Sequence, residues 1–167
     1  MGDEIINKVD QAGLLTLDIN TFYIPGERVS IDIADLIGDE LIIRESVFKT
    51  ELNSSNWNNL DSAFVSVVCS KDIIVPPWAY LLIQAKLVGI AQEVFFTDLE
   101  TMNILLFERG LNNLDVRKYK NKRVFLKICS NNMVPVCAIS LCAQRQMPHV
   151  KSLFYGEPCS SVPLIKN

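Results

Sequence analysis

The chain has 167 residues, of which 49% are apolar, and its formal net charge at pH 7 is -3. This length fits one compact domain with a sizeable core, and the lack of a basic stripe argues against nucleic-acid binding. The five cysteines are an odd number, and the acidic start is unlike a secretory signal. We therefore expect a reducing, cytoplasmic setting rather than a disulfide scaffold.

The first third of the chain predicts several short elements. Residues 4–11 favour a short helix that stops at Gly13. Apolar and polar residues alternate over 15–19 and 28–33, which predicts two half-buried strands, and 46–52 favours a helix. We expect this part to add edge strands and a cover to the main sheet.

An internal repeat organises the remainder. With a shift of 59 residues, 75–98 lies on 134–157 without a gap, and a Val-Pro pair opens both segments. One further residue in the loop brings Cys69-Ser70 onto Cys129-Ser130. Each copy therefore reads as a strand, Cys-Ser, a loop, Val-Pro, a helix and a strand.

These copies predict the fold class. We expect an α/β fold whose mostly parallel sheet carries helices on both faces and is built around two βαβ units, about 64–98 and 124–157. Between them, 99–111 predicts a helix with Asp98 as its N-cap. The whole chain, 1–167, is predicted to form a single domain.

Three cysteines are candidate metal ligands. Cys69 and Cys129 each follow a strand and precede a helix, so parallel strands would bring both thiols to the same edge of one sheet. A helix N-terminus lowers the pKa of a nearby thiol, and thiolate is the form that binds soft metals. Cys159 follows the last strand of the second copy and can reach the same edge.

Carboxylates at matching positions extend this hypothesis. Asp98 and Glu157 end equivalent strands, so three thiols with either carboxylate predict a site for zinc, iron or an iron–sulfur species. The same pattern is also typical of cysteines that are simply buried at strand ends, with Cys-Ser as a turn and cap. Cys137 and Cys142 lie inside the second predicted helix and are expected to be core residues.

The segment 73–91 is nearly all apolar, and its part 77–91 is predicted to be helical. Its helical part is too short to cross a bilayer, and Lys86 lies well inside it. We expect it to be buried against a sheet or against a second copy of the chain, which makes it the candidate homo-oligomer surface.

Several stretches resemble domain-of-unknown-function family 2480, whose members are found mainly in the Bacteroidetes. The matching stretches include Gly26 to Val29, Cys69-Ser70 with Val75-Pro76, Cys129-Ser130 and, most specifically, Tyr155 to Leu164. The resemblance runs along nearly the whole chain and implies no established activity. It also implies a genomic setting near iron–sulfur assembly genes, and hence iron–sulfur assembly proteins as partners in cluster or metal handling.

The leading hypothesis is therefore a small cytoplasmic protein that binds a metal ion or iron–sulfur species in an accessory role. A thiol enzyme with a cysteine nucleophile is the first alternative. A scaffold that forms oligomers and has no chemistry is the second. The sequence does not decide whether the protein is an enzyme.

Overall fold

The computed structural model describes residues 14–128 and 134–167. They form seven strands, namely β1 (Leu14–Asp18), β2 (Arg28–Asp32), β3 (Phe64–Val68), β4 (Glu93–Phe95), β5 (Arg123–Lys127), β6 (Ser152–Glu157) and β7 (Ser160–Lys166). They also form five α-helices, namely α1 (Ile33–Ile37), α2 (Glu45–Ser54), α3 (Pro77–Leu87), α4 (Leu99–Leu111) and α5 (Val136–Gln146). Short 3-10 helices occupy Ile19–Phe22, Asn58–Leu60 and Val116–Tyr119.

The chain divides into two compact units. The central unit is Pro25–Met102, and the terminal unit combines Met1–Ile24 with Asn103–Asn167. Each unit has its own sheet, with strand order β2-β3-β4 in the central unit and β1-β5-β6-β7 in the terminal unit.

The central unit is a parallel three-stranded sheet covered by helices. β3 lies in the middle, and it is apolar apart from Ser66 because it is buried on both faces. Val65 and Val67 belong to the core cluster, together with Ala79, Ile83 and Leu87 of α3. Helix α3 begins where the sequence predicts, since a proline at the first position loses no helical hydrogen bond.

The terminal unit repeats this plan and adds a strand. β1, β5 and β6 are parallel, and β7 returns antiparallel to β6. Gly110, in the last turn of α4, lies against the chain at Phe22, where a Cβ would overlap the Phe22 carbonyl oxygen. A glycine is therefore required for this close approach.

The predicted α/β class and the two repeated βαβ units are confirmed. Helices α3 and α5 have 11 residues each and are related by the predicted shift of the repeat. The N-terminal strands β1 and β2 are edge strands, as expected. The predicted helix over 77–91 ends earlier, at Leu87, and the predicted helix over 4–11 lies outside the described residues.

The sheet arrangement differs from the expected one. The sequence analysis placed both repeats in one sheet, whereas β3 and β5 belong to different sheets. The cause is the pairing of the first two strands, because β2 adds to β3 while β1 adds to β5. Each repeat thus completes a sheet of its own, so β3, which Cys69 follows, and β5 do not share a sheet edge, and the place of Cys129 stays a prediction.

Candidate functional site

Cys69 follows β3 in the central unit. It is half-buried and packs against the edge of the core cluster. Its Sγ lies 3.6 Å from the Lys71 carbonyl oxygen, to which the thiol donates. Cys69 is thus held at the start of the loop that leads to α3, as the sequence predicted.

Asp32 fixes this loop from the neighbouring strand. Its Oδ1 accepts from the N–H groups of Ala34, at 2.9 Å, and Ser70, at 3.0 Å. Desolvation alone would raise the pKa of Asp32, but hydrogen bonds from Ser70 and Ala34 and the charge of Lys71 lower it below 3.8. One carboxylate therefore caps α1 and anchors the Cys-Ser dipeptide.

Sequence reasoning missed both of these roles. An aspartate between an alternating strand and a helix is a typical N-cap, so Asp32 could have been assigned to that position. Its bond to Ser70 spans 38 residues of sequence and depends on the β2–β3 pairing.

Cys159 lies in the terminal unit at a hairpin tip. Pro158 and Cys159 form the two-residue connection between β6 and β7, and Glu157 pairs with Ser160 across it. Gly156 has a φ of 108°, and a Cβ there would lie 2.7 Å from the Ser160 carbonyl oxygen, so the hairpin needs glycine. Cys159 is exposed, and its thiol is accessible to a reagent or an ion.

Glu157 lies at the end of β6, beside the turn. Its Oε1 is 3.6 Å from Nζ of Lys127, the last residue of β5. Because β5 and β6 are parallel neighbours, their carboxyl ends share one edge of the terminal sheet. A thiol, a carboxylate and an ammonium group are therefore found at that edge.

Asp98 has a structural role in the central unit. As the predicted N-cap of α4, it accepts from the N–H and Oγ1 of Thr101, both at 2.8 Å. These hydrogen bonds lower the pKa of the exposed Asp98 carboxyl. Both carboxylate oxygens of Asp98 already accept a hydrogen bond, which leaves fewer lone pairs for a metal ion.

The three other cysteines are Cys129, Cys137 and Cys142. Cys129 lies outside the described residues, so its predicted place in the site stays a prediction. Cys142 is buried in α5, where desolvation raises the pKa of its thiol to about 11 against the opposing charge of Arg145. Cys137 is half-buried on the same helix.

No three or more His, Cys, Asp or Glu side chains come together in a metal-binding arrangement within residues 14–128 and 134–167. Among the five predicted ligands, Glu157 and Cys159 lie in the terminal unit, and Cys69 and Asp98 lie in the central unit. Each unit thus contains one described thiol and one described carboxylate of the predicted set, and Cys129 lies outside the described residues.

A parallel sheet and a mostly parallel sheet from a duplicated βαβ plan, with cysteines after their strands, define an α/β protein with candidate thiol sites. The model of a family described as a protein of unknown function (DUF2480) matches residues 3–167, so the chain belongs to this family. No curated protein and no solved structure matches the chain. None of the helices formed by the described residues is long and apolar enough to cross a membrane.

Proposed function

We propose that the protein binds a metal ion, zinc or iron, or an iron–sulfur species through cysteine thiolates, in an accessory role of metal or cluster handling. The best supporting observation is that Cys159 is exposed at the tip of the β6–β7 hairpin, two residues after Glu157, which ends β6. Thiolate sulfur suits soft ions and iron–sulfur clusters, and carboxylate oxygen is a common additional zinc ligand.

In the terminal unit the proposed ligands are Cys129, Cys159 and Glu157. Cys129 follows Lys127, the end of β5, by two residues of sequence, a reach of at most about 7 Å. Lys127 and Glu157 lie side by side, and the proposed site joins the Cys129 and Cys159 thiols on one ion at this edge. Three protein ligands would leave one tetrahedral position open, as a carrier of a labile ion requires.

In the central unit the proposed ligands are Cys69 and Asp98. Cys69 is the repeat equivalent of Cys129, and Asp32 holds its loop in place. Asp98 is the weaker candidate because its carboxylate caps α4. The proposed role implies iron–sulfur assembly proteins as partners and a reducing compartment, the cytoplasm, where thiols stay reduced.

The test is metal analysis of the full chain purified without oxygen, together with its absorption spectrum. We expect near-stoichiometric zinc or iron in the wild type and a loss of at least half in Cys159→Ser and in Cys129→Ser. Cys69→Ser tests the central thiol separately. Cys137→Ser is the matched control, because it removes a half-buried cysteine outside the proposed ligands.

Two results would contradict this proposal. One is a wild-type protein that takes up neither zinc nor iron after reconstitution. The other is uptake that survives replacement of Cys69, Cys129 and Cys159 together. If metal is absent and a single cysteine is alkylated much faster than the others, a thiol enzyme is the better assignment.

A second candidate function is a scaffold that forms oligomers through α3. The supporting observation is that Leu81 on this helix is 59% exposed and Val88 just after it is 76% exposed. A second copy of the chain would cover these apolar groups. Leu81→Glu should then convert an oligomer to a monomer in light scattering, whereas Gln84→Glu, at another exposed position of α3, should not.

A further inference from the structure

The central unit contains a cleft along β2 that the cysteine proposal does not use. The cleft, of about 250 Å³, lies between β2, the start of α1 and the segment 55–60. We call it the β2 cleft. Its polar lining includes Ser30, Asp32, Asp35, Asn56 and Asn59, and Trp57 forms part of the wall.

The backbone of β2 is directed into this space. Phe64 N–H donates to the Glu27 carbonyl at 2.8 Å, and Arg28 aligns with Phe64 in the parallel register. Since successive residues of a strand direct their backbone groups to opposite sides, Ser30 directs its N–H and carbonyl away from β3. Within the described residues, neither group has a backbone partner.

Two of the other outer strands are poorer templates for an added strand. β4 has only three residues, and β7 contains Pro163, which has no N–H to donate. β2 has five residues and no proline. An open strand edge of this kind pairs readily with an extended peptide.

The negative charge of the β2 cleft favours a peptide with basic side chains. Its two titratable groups are carboxylates, Asp32 and Asp35, and no lysine or arginine is found among its described lining residues. Asp35 is exposed and forms no salt bridge with a described residue. A basic side chain placed beside Asp35 would therefore gain a charge-assisted hydrogen bond.

Trp57 supplies a fixed apolar wall. Its Nε1 donates to the Leu52 carbonyl at 3.0 Å, which fixes the indole at the end of α2. Ser30 is fixed as well, because Ser66, which is fully buried, donates from Oγ to Ser30 Oγ at 3.0 Å. A rigid aromatic wall suits aliphatic or cationic side chains of a bound segment.

From these features we infer that the β2 cleft binds an extended, basic peptide segment of a partner protein by adding it as a strand to β2. Main-chain hydrogen bonds to Ser30 would supply affinity. Lysine or arginine side chains on the helix-covered face of the added strand would meet Asp35 with their charged groups and pack their aliphatic stems on Trp57. This interaction does not depend on any cysteine.

The test is a peptide titration of the isotopically labelled full chain, followed by nuclear magnetic resonance. The probe is a capped nine-residue peptide of alternating valine and lysine, and the control peptide has glutamate in place of lysine. We expect the lysine peptide to shift the Ser30 amide and the Trp57 indole signals, and the glutamate peptide to leave them unchanged.

Matched variants separate backbone pairing from other effects. Ser30→Pro and Ser30→Ala both remove the hydroxyl, but only proline removes the outward N–H. We expect Ser30→Pro to weaken binding at least about tenfold and Ser30→Ala to weaken it about twofold at most. Asp35→Lys lies on the surface and should reverse the preference toward the glutamate peptide.

The inference is overturned if the lysine peptide shifts neither signal at millimolar concentration, or if Asp35→Lys binds both peptides as the wild type does. The Asp35→Lys result decides the matter even where Ser30→Pro fails to fold. Cys159→Ser should bind the peptide normally, so loss of metal binding and loss of peptide binding remain distinguishable.

Discussion

The central and terminal units share one βαβ plan, but they fill its equivalent positions differently. Ala79 and Ala138 both pack a small, fully buried side chain at the start of the repeat helix. One turn later, Ile83 corresponds to Cys142. At the last turn the apolar Leu87 of the central unit corresponds to a fully buried glutamine in the terminal unit.

That glutamine is Gln146, and its side chain is an anomaly. Neither its Oε1 nor its Nε2 has a hydrogen-bond partner among the described residues. A buried polar group without a partner carries a desolvation penalty that an apolar residue avoids. The comparison teaches that the shared fold is set by strand pairing and small residues. The last turn of the repeat helix, in contrast, tolerates a destabilising buried glutamine.

The largest expected effect comes from Gly110→Ala in the terminal unit. The new Cβ would overlap the Phe22 carbonyl, so we expect a loss of about 3 kcal/mol or more in the free energy of unfolding. Glu108→Ala, at an exposed position of the same helix, is the control and should change it by at most about 0.5 kcal/mol.

The same variant tests the predicted single domain, because both tryptophans, Trp57 and Trp78, lie in the central unit. If the chain unfolds as one domain, Gly110→Ala shifts the tryptophan fluorescence and circular dichroism transitions together. An unchanged fluorescence midpoint beside a shifted dichroism transition would mean that the central unit unfolds independently.

Exchanging the last-turn residues should have effects of opposite sign. Leu87→Gln introduces a buried amide and should lower the free energy of unfolding by about 3 kcal/mol. Gln146→Leu removes one and should raise it by about 1 kcal/mol. Urea unfolding measures both, and a destabilised Gln146→Leu would instead indicate that buried water satisfies the amide.

The smallest effect concerns pH and distinguishes the caps of the two units. The pKa of Asp32 is lowered in the folded state, so its contribution is present above its ordinary value of 3.8 and is lost as pH falls through the lowered value. Asparagine keeps the capping oxygen, so Asp32→Asn removes only the charge and should cost about 0.5 kcal/mol at pH 7 and less at pH 3, measured by tryptophan fluorescence in urea.

The equivalent cap of the terminal unit provides the comparison. Asp18 ends β1 and accepts from the N–H of Asn20 at 3.0 Å. If the two units unfold separately, Asp18→Asn should leave the tryptophan transition where it is. Equal stability losses for Asp32→Asn at pH 7 and pH 3 would contradict the assigned role of Asp32.

The sequence predicts local elements well, because their signals are local. The Val-Pro pairs mark the starts of α3 and α5, and Asp98 caps α4 as expected. β7 escaped notice because Pro163 interrupts its pattern, and only an edge strand tolerates that residue. The division into two sheets depends on the strands with which β1 and β2 pair. These partners are distant in sequence, and no local pattern carries that information.

In the candidate site, too, local features were predictable from sequence and long-range contacts were not. Cys69 lies at a strand-to-helix junction, as predicted from sequence, and Cys159 lies at the tip of the β6–β7 hairpin. The anchoring of Ser70 by Asp32 and the pairing of Lys127 with Glu157 arise only after the strands pair. Residue types and their spacing therefore indicated candidate ligands, but not which of them lie in the same unit.

The separate pairing of β1 and β2 has a consequence for synthesis on the ribosome. The central unit is one continuous stretch, Pro25–Met102, so all three of its strands are synthesised before β5. β1 emerges first, but its partner β5 begins only at Arg123. The first described strand therefore pairs with the fifth, and the terminal sheet can form only after the strands of the central sheet have been synthesised.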